Sequence, residues 1–304
     1  MSSKQKILSV AGLLSGALVW GVMWYPYRLL HGMGVGGILS TLITYCVAML
    51  LGLFFMGPIW RELRHAGWQS IVLLASAGWT NLGYVLATLE GEIMRVMLLF
   101  YLAPLWTLFF SYWLLREKLN SFGYAIILLS LSGAFVILWD ARHGLPLPQN
   151  LAEWIGLSAG MSFALMNVMV RRIQHLSLNF KVVSAWFGTA LFTAVLAGYQ
   201  DSFMTGLQNI PTDAWGWLLA VGLAICVITY SVQYGLTHLP ANQAIVLFLS
   251  ELVFAAVSAY LLAGEEIGSR EIIGAGLIVS ASLLSGKIHH HSSTNKIKSA
   301  WENK

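Results

Sequence analysis

A carboxylate in the middle of an apolar run is the first residue of this sequence that demands a chemical reason. Glu251 lies in Phe248-Leu249-Ser250-Glu251-Leu252-Val253-Phe254, with apolar sequence on either side. In hydrocarbon an ionisable side chain costs on the order of 2.5–3.5 kcal/mol even on the milder insertion scale, so it turns to a cavity or a partner. Two roles are open to it. It can be a proton-titrating group or the counter-ion of a cationic ligand, or a protonated, hydrogen-bonded acid that joins helices. Arg95 poses the matching question. Its planar guanidinium suits bidentate contact with a carboxylate or phosphate, and the plainer reading is a snorkelling arginine paired with Glu92. Arg28 and Arg171 read as interfacial anchors.

Around these charges stand neutral polar and aromatic residues that would wall a ligand cavity. Asn81, Tyr84, Tyr101, Asn167, Tyr230 and Gln233 offer hydrogen bonds, against the default reading of polar residues in membranes as interhelical glue. Trp20, Trp24 and Trp79 offer stacking or cation–π contact, against a default of packing or interfacial anchoring. Pro26 and Pro104 fall within apolar runs, where each removes a backbone donor and can kink a helix. Enzyme chemistry finds little support: the sequence has no Walker motif, no nucleophile elbow and no paired histidines on a polar helix. His289-His290-His291 could hold a metal but reads as a solvated tail. No cofactor is expected.

The elements that must position these residues are membrane helices. Hydrophobic residues make up 58% of the 304, charged ones 10%, and the mean hydropathy is +0.72, too apolar for a soluble domain. Runs long enough to cross a bilayer fall near 7–30, 36–58, 68–89, 93–115, 120–139, 151–173, 181–199, 214–237, 241–263 and 270–286. The first is longer than a signal-peptide core and reads as a retained span. With a cytoplasmic amino terminus, 13 of the 17 Lys and Arg residues lie on the inner side, which satisfies the positive-inside rule and puts both termini in the cytoplasm. The basic residues are scattered in short loops, so the charge of +4 reports topology and gives no sign of a nucleic-acid partner. Cys46 and Cys226 sit in apolar runs and read as packing.

The chain is also duplicated. Residues 96–121 and 244–269 align at an offset of 148, with Leu99, Phe100, Tyr112, Leu114, Glu117 and Ser121 meeting Leu247, Phe248, Tyr260, Leu262, Glu265 and Ser269. The fold class expected is therefore an all-α membrane protein of ten transmembrane helices in two inverted five-helix repeats. The first repeat is 1–143, the linker 144–150, the second repeat 151–286, and 287–304 a polar cytoplasmic tail. Five spans per copy is an odd number, so the copies enter the membrane from opposite faces.

Two stretches carry a family resemblance. Leu102-Ala103-Pro104-Leu105-Trp106 with Leu114-Leu115-Arg116-Glu117-Lys118-Leu119, and Ser250-Glu251-Leu252-Val253-Phe254-Ala255-Ala256 with Leu261-Leu262-Ala263-Gly264-Glu265-Glu266-Ile267, resemble the signature segments of EamA-type transporters in the drug/metabolite transporter superfamily. The chain departs from them at Leu252, where a proline is common, and at Arg116, where a glycine usually precedes the acid. The resemblance implies a bacterial inner-membrane carrier, most often an exporter of amino acids or related metabolites, with its cavity lined by spans 1, 3, 4, 6, 8 and 9. The expectation is alternating access around Glu251, with a small-molecule substrate, the bilayer as solvent, proton coupling through Glu251 as one option, and monomer and homodimer both open. Export of cationic drugs or quaternary amines is the alternative. A multispan membrane enzyme or a channel is the competitor from another class.

Overall fold

The computed structural model describes residues 2–56, 59, 62, 64, 66–91, 93–139, 147–200, 203–264 and 266–287. The helices are α1 (Ser3–Gly32), α2 (Gly37–Met56), α3 (Trp68–Glu90), α4 (Ile93–Phe100), α5 (Ala103–Phe110), α6 (Ser121–Leu138), α7 (Leu151–Arg172), α8 (Leu178–Ala197), α9 (Phe203–Gln208), α10 (Thr212–His238), α11 (Ala241–Phe248), α12 (Ser250–Ala263) and α13 (Ser269–Leu284). A π-helical stretch, Ser111–Leu115, extends α5. Short polar side chains set several starts by accepting a backbone N–H two or three positions inside the helix. Ser2 does so for α1, Asn120 for α6 (Gly123 N–H, 2.8 Å), Asn150 for α7 (Glu153 N–H, 2.9 Å) and Ser177 for α8.

The protein is an all-α membrane protein. Among the described residues, eight helical stretches are long and apolar enough to cross a bilayer, with α4–α5 and α11–α12 each counted as one stretch, and Gly37–Gly52 is a shorter apolar helix. The apolar residues left on the outside, among them Leu50, Ile71, Leu128, Trp154, Leu261 and Leu283, are more than half exposed. In water such a surface would be an aggregation liability, and in lipid it costs nothing. The predicted spans at 93–115 and 241–263 are broken. The first is interrupted at Tyr101-Leu102 and the second at Leu249, and Tyr101 and Leu249 are 148 residues apart, the offset of the sequence repeat. Both segments also end on a residue in the left-handed region, Arg116 at φ 56° and Gly264 at φ 69°, again 148 apart. Pro104 opens α5 in its first turn, downstream of the break, while Pro26 is carried within a continuous α1.

Helix pairing is reciprocal. The α3 helix lies along α7 and α8, and α10 lies along α1 and α2; α1 packs on α11 and α12, and α7 on α4 and α5; α2 pairs with α8, and α6 with α13. Glycine allows the closest of these approaches. At Gly133 of α6 and Gly274 of α13, a Cβ would stand 2.7 and 2.6 Å from the opposite glycine's carbonyl oxygen, so neither position has room for a side chain. The expected linker at 144–150 lies partly outside the described residues, as do Glu92, Glu265 and His289-His290-His291.

Candidate substrate-binding site

The two helix breaks meet at Glu251. It occupies the first turn of α12, directly after the interruption at Leu249, and Tyr101 occupies the interruption between α4 and α5. The Tyr101 hydroxyl donates to the Glu251 carboxyl, and the Tyr84 phenol of α3 lies within its electrostatic reach. Glu251 is packed among protein atoms and is only partly exposed, as is Tyr84. The polar groups acting on the carboxyl are phenols; no described lysine or arginine pairs with it.

An aromatic chain continues from this centre. Tyr84 meets Phe100 edge to face at 5.3 Å, Phe100 meets Tyr101 in the same way at 5.4 Å, Phe100 stacks on Phe163 at 5.6 Å, and Phe163 meets Phe248 at 5.3 Å. Four helices, α3, α4, α7 and α11, thus contribute to one wall. Sequence reasoning missed Phe100, Phe163 and Phe248, because a phenylalanine in an apolar span carries no mark of which way it faces. Gly21 of α1 fits against the backbone here. A Cβ on it would stand 2.8 Å from the Glu251 carbonyl oxygen and 2.9 Å from the Ala255 nitrogen. Next to it Trp24 donates to Ser258 Oγ at 2.8 Å, and Ser258 donates to the Gly21 carbonyl, fixing α1 to α12.

Other expected wall residues are engaged elsewhere. Arg95 forms a bidentate pair with Glu153 of α7, Nε to Oε1 at 2.8 Å and Nη2 to Oε2 at 3.0 Å, and Nη2 also donates to the Leu147 carbonyl. Glu153 collects two further donors, the Gln149 N–H and Asn150 Nδ2. The guanidinium fork is filled, and its partner is an acid 58 residues later in sequence. Asn81 accepts from the Tyr45 hydroxyl at 2.8 Å and donates to the Ala77 carbonyl and Thr189 Oγ1, tying α3 to α2 and α8. Trp79 donates to Ser158 Oγ of α7 at 2.9 Å, Trp20 packs in the cluster around Met23, Tyr45 and Trp186, and Tyr230 is exposed on α10. Asn167 and Gln233 are buried, and both ends of the Asn167 amide and the Gln233 carbonyl have no protein partner.

Comparison with known proteins agrees with this architecture. The EamA-like transporter family model matches residues 150–286, which carry Glu153, Asn167, Gln233 and Glu251. An uncharacterized transporter of Pseudomonas aeruginosa is 25% identical over 269 residues, covering 85% of this chain and 86% of that protein. Another from Archaeoglobus fulgidus is 23% identical over 226 residues, covering 73% and 78%. The second half of the chain thus carries an EamA-like transporter domain. A protein known from its crystal structure shares the fold of this chain, with TM-score 0.67 at 17% identity over 94% of this chain and 98% of that one.

A second polar cluster closes the opposite end from Arg95. Arg171 at the end of α7 donates to the Thr237 carbonyl at 2.9 Å and stands 3.8 Å from the Glu117 carboxylate. Glu117 also accepts from the backbone N–H of Ala241, where α11 begins. Lys181, fully buried, donates to Thr237 Oγ1 at 3.2 Å. Counting Lys181 among the loop cations that set topology gave no sign of this burial. Asn167 and Gln233 each sit one helical turn inward from this cluster, toward Glu251.

Proposed function

We propose that this protein is a secondary active transporter that exports small amine-bearing metabolites such as amino acids, by alternating access around Glu251. Its ten spans form two inverted five-helix repeats, split at 143 and 151, in a bacterial inner membrane with both termini cytoplasmic. The reciprocal helix pairing supports the repeat, as do the helix breaks and left-handed caps recurring at one offset. The observation that carries the site is a carboxyl at the junction of two broken helices, faced by phenols and an aromatic wall, with no paired cation among the described residues. Unwound helix segments at the midplane are where transporters of repeat architecture hold their ligands. An ammonium group satisfies the carboxyl by charge and the rings by cation–π contact. When substrate leaves, a proton takes its place and restores the neutral form that a low-dielectric site favours.

Arg95 in this reading is a tether. Its bond to Glu153 joins the first repeat to the second at the outer end, and the Glu117–Arg171–Thr237 cluster joins them at the inner end, so opening either face breaks one of two polar contacts. Export of cationic drugs or quaternary amines is the second reading, favoured by the occupation of Arg95, which leaves the centre without a group for a substrate carboxylate. Proteoliposome flux across amino acids, amines and quaternary ammonium compounds tests both. Transport of one class that Glu251→Gln abolishes supports the proposal; wild-type protein that folds and moves none of them sinks it.

A further inference from the structure

At the Arg171 end of the bundle a cavity of about 410 Å³ opens between the start of α3, the π-helical end of the fourth span and the end of α7, lined by Gln69, Leu114, Leu115, Arg171, Arg172 and His175. Its charge is one-sided. Arg171 is shared with Glu117 and Thr237, while among the described residues Arg172 has the Leu114 carbonyl as its one polar partner and no carboxylate lines the space. Its depth in the membrane is marked as well. Gln69 directly follows Trp68 and Leu114 directly follows Trp113, two tryptophans 56% and 67% exposed, and tryptophans so placed sit at the level of lipid headgroups. From Trp113 the outward surface continues as apolar rings: Phe109, 58% exposed, stacks on Trp113 at 6.3 Å.

We propose that this cavity binds the phosphate of an anionic phospholipid, held by Arg172 and His175, with an acyl chain lying along Phe109 and Trp113. A guanidinium whose protein partner is a neutral carbonyl keeps donors and charge for a phosphate oxygen. The apolar rings beside the mouth select a ligand with a chain attached over a soluble phosphate. The site is separate from the Glu251 centre, so it stands or falls independently of what is transported.

Native mass spectrometry of the full chain, mixed with phosphatidylglycerol or phosphatidylcholine in detergent, tests this. The account expects saturable retention of phosphatidylglycerol in preference to phosphatidylcholine. Arg172→Gln is expected to weaken that retention about fivefold, since one basic residue near an anionic lipid contributes roughly that factor. His175→Gln, a milder change at the surface, should weaken it in the same direction and covers the case that the arginine variant fails to fold. Equal retention of the two lipids, retention unchanged in both variants, or displacement by inorganic phosphate as effective as by lipid would overturn the proposal.

Discussion

A carboxyl group inside a membrane protein is held in place by what packs behind it, and for Glu251 that is Gly21. A Cβ at Gly21 would push on the Glu251 carbonyl oxygen and the Ala255 nitrogen, both backbone atoms with little freedom to move aside. Gly21→Val is therefore expected to displace the first turn of α12 and lower transport sharply, with overpacking of about 1–3 kcal/mol appearing as a reduced thermal midpoint in detergent. Tyr101→Phe is milder. It removes the hydroxyl donated to Glu251 and preserves the ring, so substrate affinity should change while the midpoint stays near wild type. The Arg95–Glu153 pair behaves oppositely, because its effect is on stability. Arg95→Leu leaves a buried carboxylate without its partner and is expected to cost about 3–5 kcal/mol, whereas Arg95→Leu combined with Glu153→Leu should recover much of that loss. A loss in the double variant equal to the sum of the losses in Arg95→Leu and Glu153→Leu measured separately would show that the pair is not coupled.

At the scale of the element, the breaks between α4 and α5 and between α11 and α12 are the feature that sequence patterning reads worst. Hydropathy sees two continuous apolar runs, since residues on either side of Tyr101-Leu102 and Leu249 are equally apolar and an interruption of one or two residues leaves no compositional mark. The charged positions were more legible. Glu251 stood out because a carboxylate in such a run needs a partner, and the partner class, phenols from other helices, becomes visible only in three dimensions. Arg95 was legible as a paired arginine, but Glu153 lies 58 residues away across the repeat boundary, beyond any local spacing rule. Arg116 has a clear physical meaning in the structure. It ends its segment at φ 56°, where Gly264 ends the equivalent one at φ 69°, and a side chain in that region costs roughly 1 kcal/mol. Arg116→Gly should raise the thermal midpoint and Gly264→Ala should lower it.

Glu117, in the loop that follows, adds a pH dependence. Burial raises its pKa, opposed by Arg171 and the Ala241 N–H. An acid whose pKa is raised in the fold contributes stability at low pH that is lost as pH rises through the folded value. The difference in midpoint between Glu117→Gln and wild type should therefore move in the variant's favour between about pH 4 and pH 7. A constant difference across that range would mean that the carboxyl is not penalised by burial.

For the whole molecule, repetition explains both the scaffold and its departure from symmetry. The principal helix contacts come in matching sets, α3 with α7 and α8 beside α10 with α1 and α2, and the close approach of Gly133 to Gly274 joins α6 to α13. The chemistry is placed unevenly on this frame. At the repeat offset of 148, Glu251 corresponds to Ala103 and Arg95 to Gln243, so the acid beside the helix breaks and the arginine paired with Glu153 each occur once. In the proposed mechanism, two like halves would supply two exchangeable conformations, and the single carboxyl at their junction the ligand contact. The most direct measurement is substrate counterflow in proteoliposomes loaded with the amine or amino acid found by flux screening, comparing wild type with Glu251→Gln. The account predicts saturable exchange by wild type and none by the variant at equal folded protein; exchange of the same substrate at the wild-type rate by Glu251→Gln would contradict it.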